Sequence, residues 1–244
     1  MTASPFLSAM ALTHNHEAPR DSKARLSRLW HLTLAAVVLV AFAIQLTRLV
    51  TGGVDVNSGS ADVDASLTIR FIRLLSYFTI QSNLLVLVVA LSLIANPSRD
   101  GRVWRVLRLD MLLGMTITGA VFPTILARVV HHTGAAVWAN FGFHYFAPWW
   151  TLLGWLLFGP RPRISWSTVV LAFVWPILWL GCTLIRGAMT GWYPYPFLDV
   201  SKLGYANVSV NIALVLLAAV LVAVTFKALD LWLPRLHAKG GRGR

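Results

Sequence analysis

Charge is what this sequence has least of: 12% of its 244 residues are Asp, Glu, Lys or Arg, against an apolar fraction of 57%. Soluble domains are about a quarter charged and about half apolar. Too little polar surface is available to coat a water-soluble globule, which leaves the membrane class. Cysteine is nearly absent. The single Cys182 excludes an internal disulfide and reads as a small membrane-buried residue. The first apolar run is not expected to be a signal peptide: it follows Arg20, Lys23, Arg25 and Arg28, but is too long for a signal core and lacks a small-residue cleavage site. No short internal repeat is visible, nor the paired interrupted helices of many secondary transporters. The net charge of +12 is not gathered on one face but divided into short runs between apolar stretches, so no nucleic-acid partner is expected.

What is present is six apolar runs, over 29–50, 70–95, 107–130, 137–158, 166–185 and 207–233. Each is near or above the roughly 20 residues that span a bilayer. Gly52-Gly53, Asn96-Pro97, Gly134, Gly159-Pro160 and the stretch from Gly191 to Pro196 punctuate them. The fold class expected is all-α, an integral membrane bundle of six transmembrane helices over 29–233. A disordered tail over 1–28 precedes it and a basic tail over 234–244 follows. His14 and His16 in the first tail read as no metal site, and no metal is expected elsewhere. Fifteen of the 21 basic residues fall in the tails and the even-numbered loops, and six on the opposite side with Asp55, Asp62, Asp64 and Asp199. By the positive-inside rule both termini are cytoplasmic. Short loops and Arg-rich composition suggest a prokaryotic plasma membrane.

Polar groups at membrane depth are costly and usually face the bundle interior. Ser76, Thr79 and Asn83, at i, i+3 and i+7 of the second run, share one face of a helix. Thr79 then lies roughly 13 Å below the outer boundary and His144, in the fourth run, roughly 10 Å below it at ~1.5 Å per residue. Asn207 and Asn211 open the sixth run at i, i+4. A hydroxyl needs a base to become a nucleophile, and His144 is the imidazole well inside a run. Asn83, Asn207 or Asn211 offers hydrogen bonds to a developing oxyanion. Equally, the threonine can bond back to its own helix and the asparagines can join helices. In the string Trp192-Tyr193-Pro194-Tyr195-Pro196-Phe197-Leu198-Asp199 the prolines stiffen a candidate lid bearing Tyr193 and Tyr195. Asp199 has Arg186, Arg128 or the histidine as possible partners.

Three strings, Tyr77 to Leu84, Phe143 to Pro148 and Trp192 to Asp199, carry a resemblance to the androgen-induced protein family, closest to its uncharacterised bacterial membrane-protein branch. The resemblance extends over about 30–233. Animal members of that family are multi-pass threonine hydrolases of fatty acid esters of hydroxy fatty acids. It implies Thr79 as nucleophile and His144 as its partner. Thr79 stands four residues before Asn83, where the animal members have three, which makes Ser82 a second candidate nucleophile. The implied function is hydrolysis of a lipid-like acyl ester drawn from membrane lipid, with no metal or organic cofactor. A non-catalytic lipid- or small-molecule-binding module, or a transporter, is the alternative.

Overall fold

The computed structural model describes residues 18–59, 64–128, 130–159, 161 and 163–240, with side chains described between 22 and 233. His14 and His16 lie outside the described residues. The described chain is all-helical: α1 Ala18–Val50, α2 Leu67–Ser76, α3 Phe78–Ala95, α4 Arg102–Thr124, α5 Ala135–Phe141, α6 Ala147–Phe158, α7 Trp166–Leu171, α8 Val174–Thr190 and α9 Val200–Gly240. Helix α1 therefore starts inside the stretch read as a tail, and α9 continues into the other.

Among the described residues, five helical stretches are long and apolar enough to cross a membrane: Ser22–Val50, Phe78–Ala95, Arg102–Arg128, Trp166–Thr190 and Val200–Leu233. The remaining apolar run is helical but interrupted. Between α5 and α6, Gly142–Phe146 forms a π turn, in which the Ala147 amide reaches the Gly142 carbonyl five residues back. Pro148 follows at once, with no amide to donate to the carbonyl four residues earlier. The wider turn absorbs that missing donor, as single π-bulges in helices do.

A second interruption corrects the reading of 70–95 as one helix. Tyr77 is extended (φ −71°, ψ 128°), so α2 ends at Ser76 and α3 begins anew at Phe78. Ser76 therefore does not share a helical face with Thr79 and Asn83. Its hydroxyl bonds the Ile72 carbonyl instead.

Helices α1, α3, α4 and α6 form the centre of the bundle. The apolar window of α4 is 56% buried, whereas that of α9 is 11% buried. Close approach of α3 and α4 depends on Gly114, where a Cβ would stand 2.5 Å from Ser82 Oγ. The loops gather at two ends. At one, Asp230 of α9 accepts the Arg163 and Ile164 amides, and Asp100, before α4, pairs with Arg163. At the other, the His132 ring bonds the Val56 carbonyl, Gln45 of α1 donates to Asp55, and the 191–199 loop folds onto the start of α3.

Candidate functional site

The first amides of a helix have no partner within it and must find one elsewhere. Because α3 restarts at Phe78, the Thr79 amide is such an orphan, in a place that water does not reach: Thr79 is 5% exposed. Its partner is the Tyr195 phenol oxygen, 3.2 Å away, which also lies 3.3 Å from Thr79 Oγ1. Tyr195 is held by its own loop. Its ring stacks on Phe197, with centroids 5.3 Å apart, and meets Tyr77 edge-on at 5.8 Å. Burial pushes the phenol above its ordinary pKa, with the Thr79 hydroxyl and backbone opposing, so it remains a protonated donor and acceptor at neutral pH.

Half of the threonines in the described helices do something else. Thr33, Thr47, Thr116, Thr124, Thr190 and Thr225 each return their hydroxyl to the carbonyl four residues earlier. Thr79 cannot follow them, because the bend at Tyr77 takes that carbonyl out of register. Thr79 also lines a cleft between α4, α8 and α9. Phe122, Phe173, Leu180 and Val215 are among the apolar side chains of the wall, and Thr79, Tyr195 and Thr118 are the hydroxyl-bearing residues among those that line it. Thr118 Oγ1 is buried without a hydrogen-bond partner among the described residues. The sequence reading missed Thr118, since a threonine in an apolar run carries no mark of which way it faces. A mostly apolar cavity with a few placed polar groups is the usual form of a small-molecule site.

The other candidates are placed as follows. His144, in the π turn, is 2% exposed and stacks on Phe122 with centroids 3.8 Å apart. Its ring feels the Asn140 backbone one turn earlier, but Nδ1 completes no hydrogen bond of ordinary geometry. Among the described residues no hydrogen bond joins the imidazole to Thr79. The two chain segments are nevertheless tied together, since Asn83 Nδ2 donates to the Thr79 carbonyl at 2.9 Å and towards the Phe143 carbonyl at 3.4 Å. Asn83 thus joins helices, and its amide nitrogen is occupied. Ser82 is fully buried, with Oγ against Gly114 and no hydrogen-bond partner among the described residues, and it does not line the cleft.

Three further candidates have other partners. Asn207 is exposed and donates to the Leu203 carbonyl of its own helix, so it joins no shared polar layer. Asn211 donates to the Phe197 carbonyl and clamps the aromatic loop to α9. Asp199 pairs with neither Arg186 nor Arg128 and does not touch His144. It accepts the Ser201 amide and hydroxyl and pairs with Lys202 at 3.3 Å, capping α9. Arg186 instead bonds Ser76 Oγ and lies over the Trp192 ring at 4.8 Å. Tyr193 is half-buried against Gly187, whose missing side chain makes room for its ring.

No group of three or more His, Cys, Asp or Glu that could hold a metal ion is present among the described residues. Comparison with known proteins returns no relative: no protein-family model matches the chain, and neither a curated protein nor a solved structure is significantly similar to it.

Proposed function

We propose that this chain is a six-span protein of a prokaryotic plasma membrane, with both termini cytoplasmic, that takes an acyl lipid into the cleft between α4, α8 and α9. The interrupted run from α5 to α6 supplies the sixth span. Within that reading the protein is a lipid-ester hydrolase related to the androgen-induced family, and Thr79 is its nucleophile. One observation carries it: Thr79 lines an apolar cleft at a helix N-terminus, with its hydroxyl not spent on its own helix but paired with a phenol.

The chemistry follows from those groups. An acyl chain lying along the apolar wall brings its ester carbonyl to Thr79. Attack forms the Oγ–carbon bond, and the developing oxyanion is met by the Tyr195 hydroxyl and the partial positive charge of the α3 N-terminus. The ester C–O bond breaks, the threonine proton goes to the departing alkoxide, and water then releases the fatty acid. His144 serves as base and acid only if a water or a turn of its ring bridges it to Thr79. That missing bond favours a second reading, in which the cleft binds a lipid without cleaving it.

Activity-based labelling separates the two. A fluorophosphonate probe is expected to label purified protein but not Thr79→Ala, and to label Ser82→Ala normally. Labelling that survives Thr79→Ala removes the threonine mechanism. Absence of labelling and of ester turnover, with lipid still retained by the purified protein in native mass spectrometry, selects binding alone.

A further inference from the structure

At the end of the bundle away from Thr79, a small cleft opens between the starts of α4 and α7 and the end of α9. Arg99, Arg105, Arg108 and Arg163 line it, with two carboxylates, Asp100 and Asp230. Asp100 is already engaged: Arg105 holds both its oxygens at 2.8 and 2.7 Å, and Arg163 adds a further contact. These arginines hold its carboxyl well below the usual range. Asp230 spends one oxygen on two backbone amides, at 2.6 and 2.7 Å. The guanidiniums thus outnumber the carboxylates by two.

Arg108 is the anomaly. It is 8% exposed, gives one nitrogen to the Gly159 carbonyl, and leaves Nε buried with no partner among the described residues. An arginine side chain with an unspent buried donor is expensive unless something accepts from it. The start of α4 breaks a second rule. Arg102, Arg105 and Arg108 occupy its first two turns, with no acidic residue in the first turn and no capping side chain. Cations there oppose the helix dipole, and an anion at that place relieves both costs.

The depth of the site is marked by tryptophan. Arg99 lies over Trp104 at 5.1 Å, Arg161 over Trp155 at 5.1 Å and Lys227 over Trp166 at 5.0 Å. Tryptophan and basic residues together are the signature of the headgroup level. We propose that this cleft binds the phosphate group of an anionic membrane phospholipid, held by Arg99, Arg108 and Arg163. The proposal rests on the reading of the chain as membrane-spanning and uses none of the ester chemistry at Thr79.

The test uses the full chain, delipidated in phosphate-free detergent, and reads thermal stabilisation and lipid retention in native mass spectra. Phosphatidylglycerol, phosphatidylcholine and inorganic phosphate are titrated separately. Phosphatidylglycerol is expected to stabilise the protein, and the double variant Arg99→Gln, Arg163→Gln to weaken that binding by about tenfold or more, as loss of charge-assisted hydrogen bonds implies. Arg108→Gln should do the same if it folds; the double variant, half of it at the exposed Arg99, keeps the test open if it does not. Stabilisation by inorganic phosphate that is lost in the same double variant supports the site with a free ion as its source. Stabilisation by phosphatidylcholine equal to that by phosphatidylglycerol, or an undiminished response in the double variant, overturns the proposal. Thr79→Ala should bind phosphatidylglycerol as the wild type does, so failure of the hydrolase reading leaves this one standing.

Discussion

Replacing Tyr195 with phenylalanine removes one oxygen from the buried start of α3 and changes nothing else in size. The ring keeps its stacking on Phe197 and its edge contact with Tyr77. What is lost is the acceptor for the Thr79 amide at 3.2 Å and the neighbour of Thr79 Oγ1 at 3.3 Å. A buried donor left without a partner costs about 1–3 kcal/mol. The hydroxyl pair adds about 0.6 kcal/mol, the average for side-chain hydrogen bonds between membrane helices. The variant should therefore lose about 2–4 kcal/mol in equilibrium unfolding from mixed micelles, with faster hydrogen exchange at the Thr79 amide. Thr79→Val keeps the amide and removes the hydroxyl. A double-mutant cycle between the two should show a coupling of about 0.6 kcal/mol, since only the hydroxyl pair is shared. Burial holds the phenol protonated, so the loss should not vary across neutral pH. A Tyr195→Phe protein as stable as the wild type, with unchanged exchange at Thr79, would mean that water already serves this amide and that the site is not dry.

Gly114→Ala places a methyl group 2.5 Å from Ser82 Oγ and 3.0 Å from its Cβ, and should cost about 1–3 kcal/mol as overpacking does. Ser82→Ala removes a hydroxyl without a partner, so it should be neutral or stabilising alone and should recover part of that loss. Asp199→Ala should cost about 0.5–2 kcal/mol through loss of the α9 cap. The Ser201 hydroxyl, followed by Lys202, lowers the Asp199 pKa. The folded state therefore binds that proton less readily than the unfolded chain, and the stabilisation is complete above the ordinary carboxylate range and fades as pH falls through the lowered value. A pH titration of unfolding on wild type and Asp199→Asn checks the sign. For topology, Ser98→Cys in a Cys182→Ser background should react with an impermeant maleimide only after cells are opened, and Asp64→Cys in intact cells. The reverse pattern inverts the proposed orientation.

The apolar runs were legible because a bilayer demands length and hydrophobicity together, and little else in a sequence imitates that. The bend at Tyr77 was not. Tyr77-Phe78-Thr79-Ile80 contains neither proline nor glycine, and the extended backbone there is imposed by packing of Tyr77 against Trp192 and Tyr195. The π turn was half legible: Pro148 announces a missing donor, but not whether the helix kinks or widens. That choice matters, because one extra residue in a turn rotates everything before it by ~100° about the axis. The direction of the His144 ring depends on it. Asp199 was misread because an acidic residue before a helix has a nearer use, as a cap, than any distant arginine.

The bend and the aromatic loop make sense only together. Were 67–95 one continuous helix, the Thr79 amide would bond the Leu75 carbonyl and the Thr79 hydroxyl would fold back on it, as other threonines here do. Breaking the helix at Tyr77 releases both groups inside the bundle, where an unpaired amide is not tolerated for free. The two prolines of the 192–199 loop present a phenol to that amide, and Asn211 clamps the loop from α9. A chain that needed only a stable span would have kept the helix whole. Because Tyr195, whose phenol satisfies the amide, also lines the cleft, a ligand carbonyl that reached the phenol would compete for its proton with Thr79 Oγ1 alone. It leaves the amide bond intact, so occupancy of the cleft should protect the Thr79 hydroxyl from labelling without loosening the start of α3.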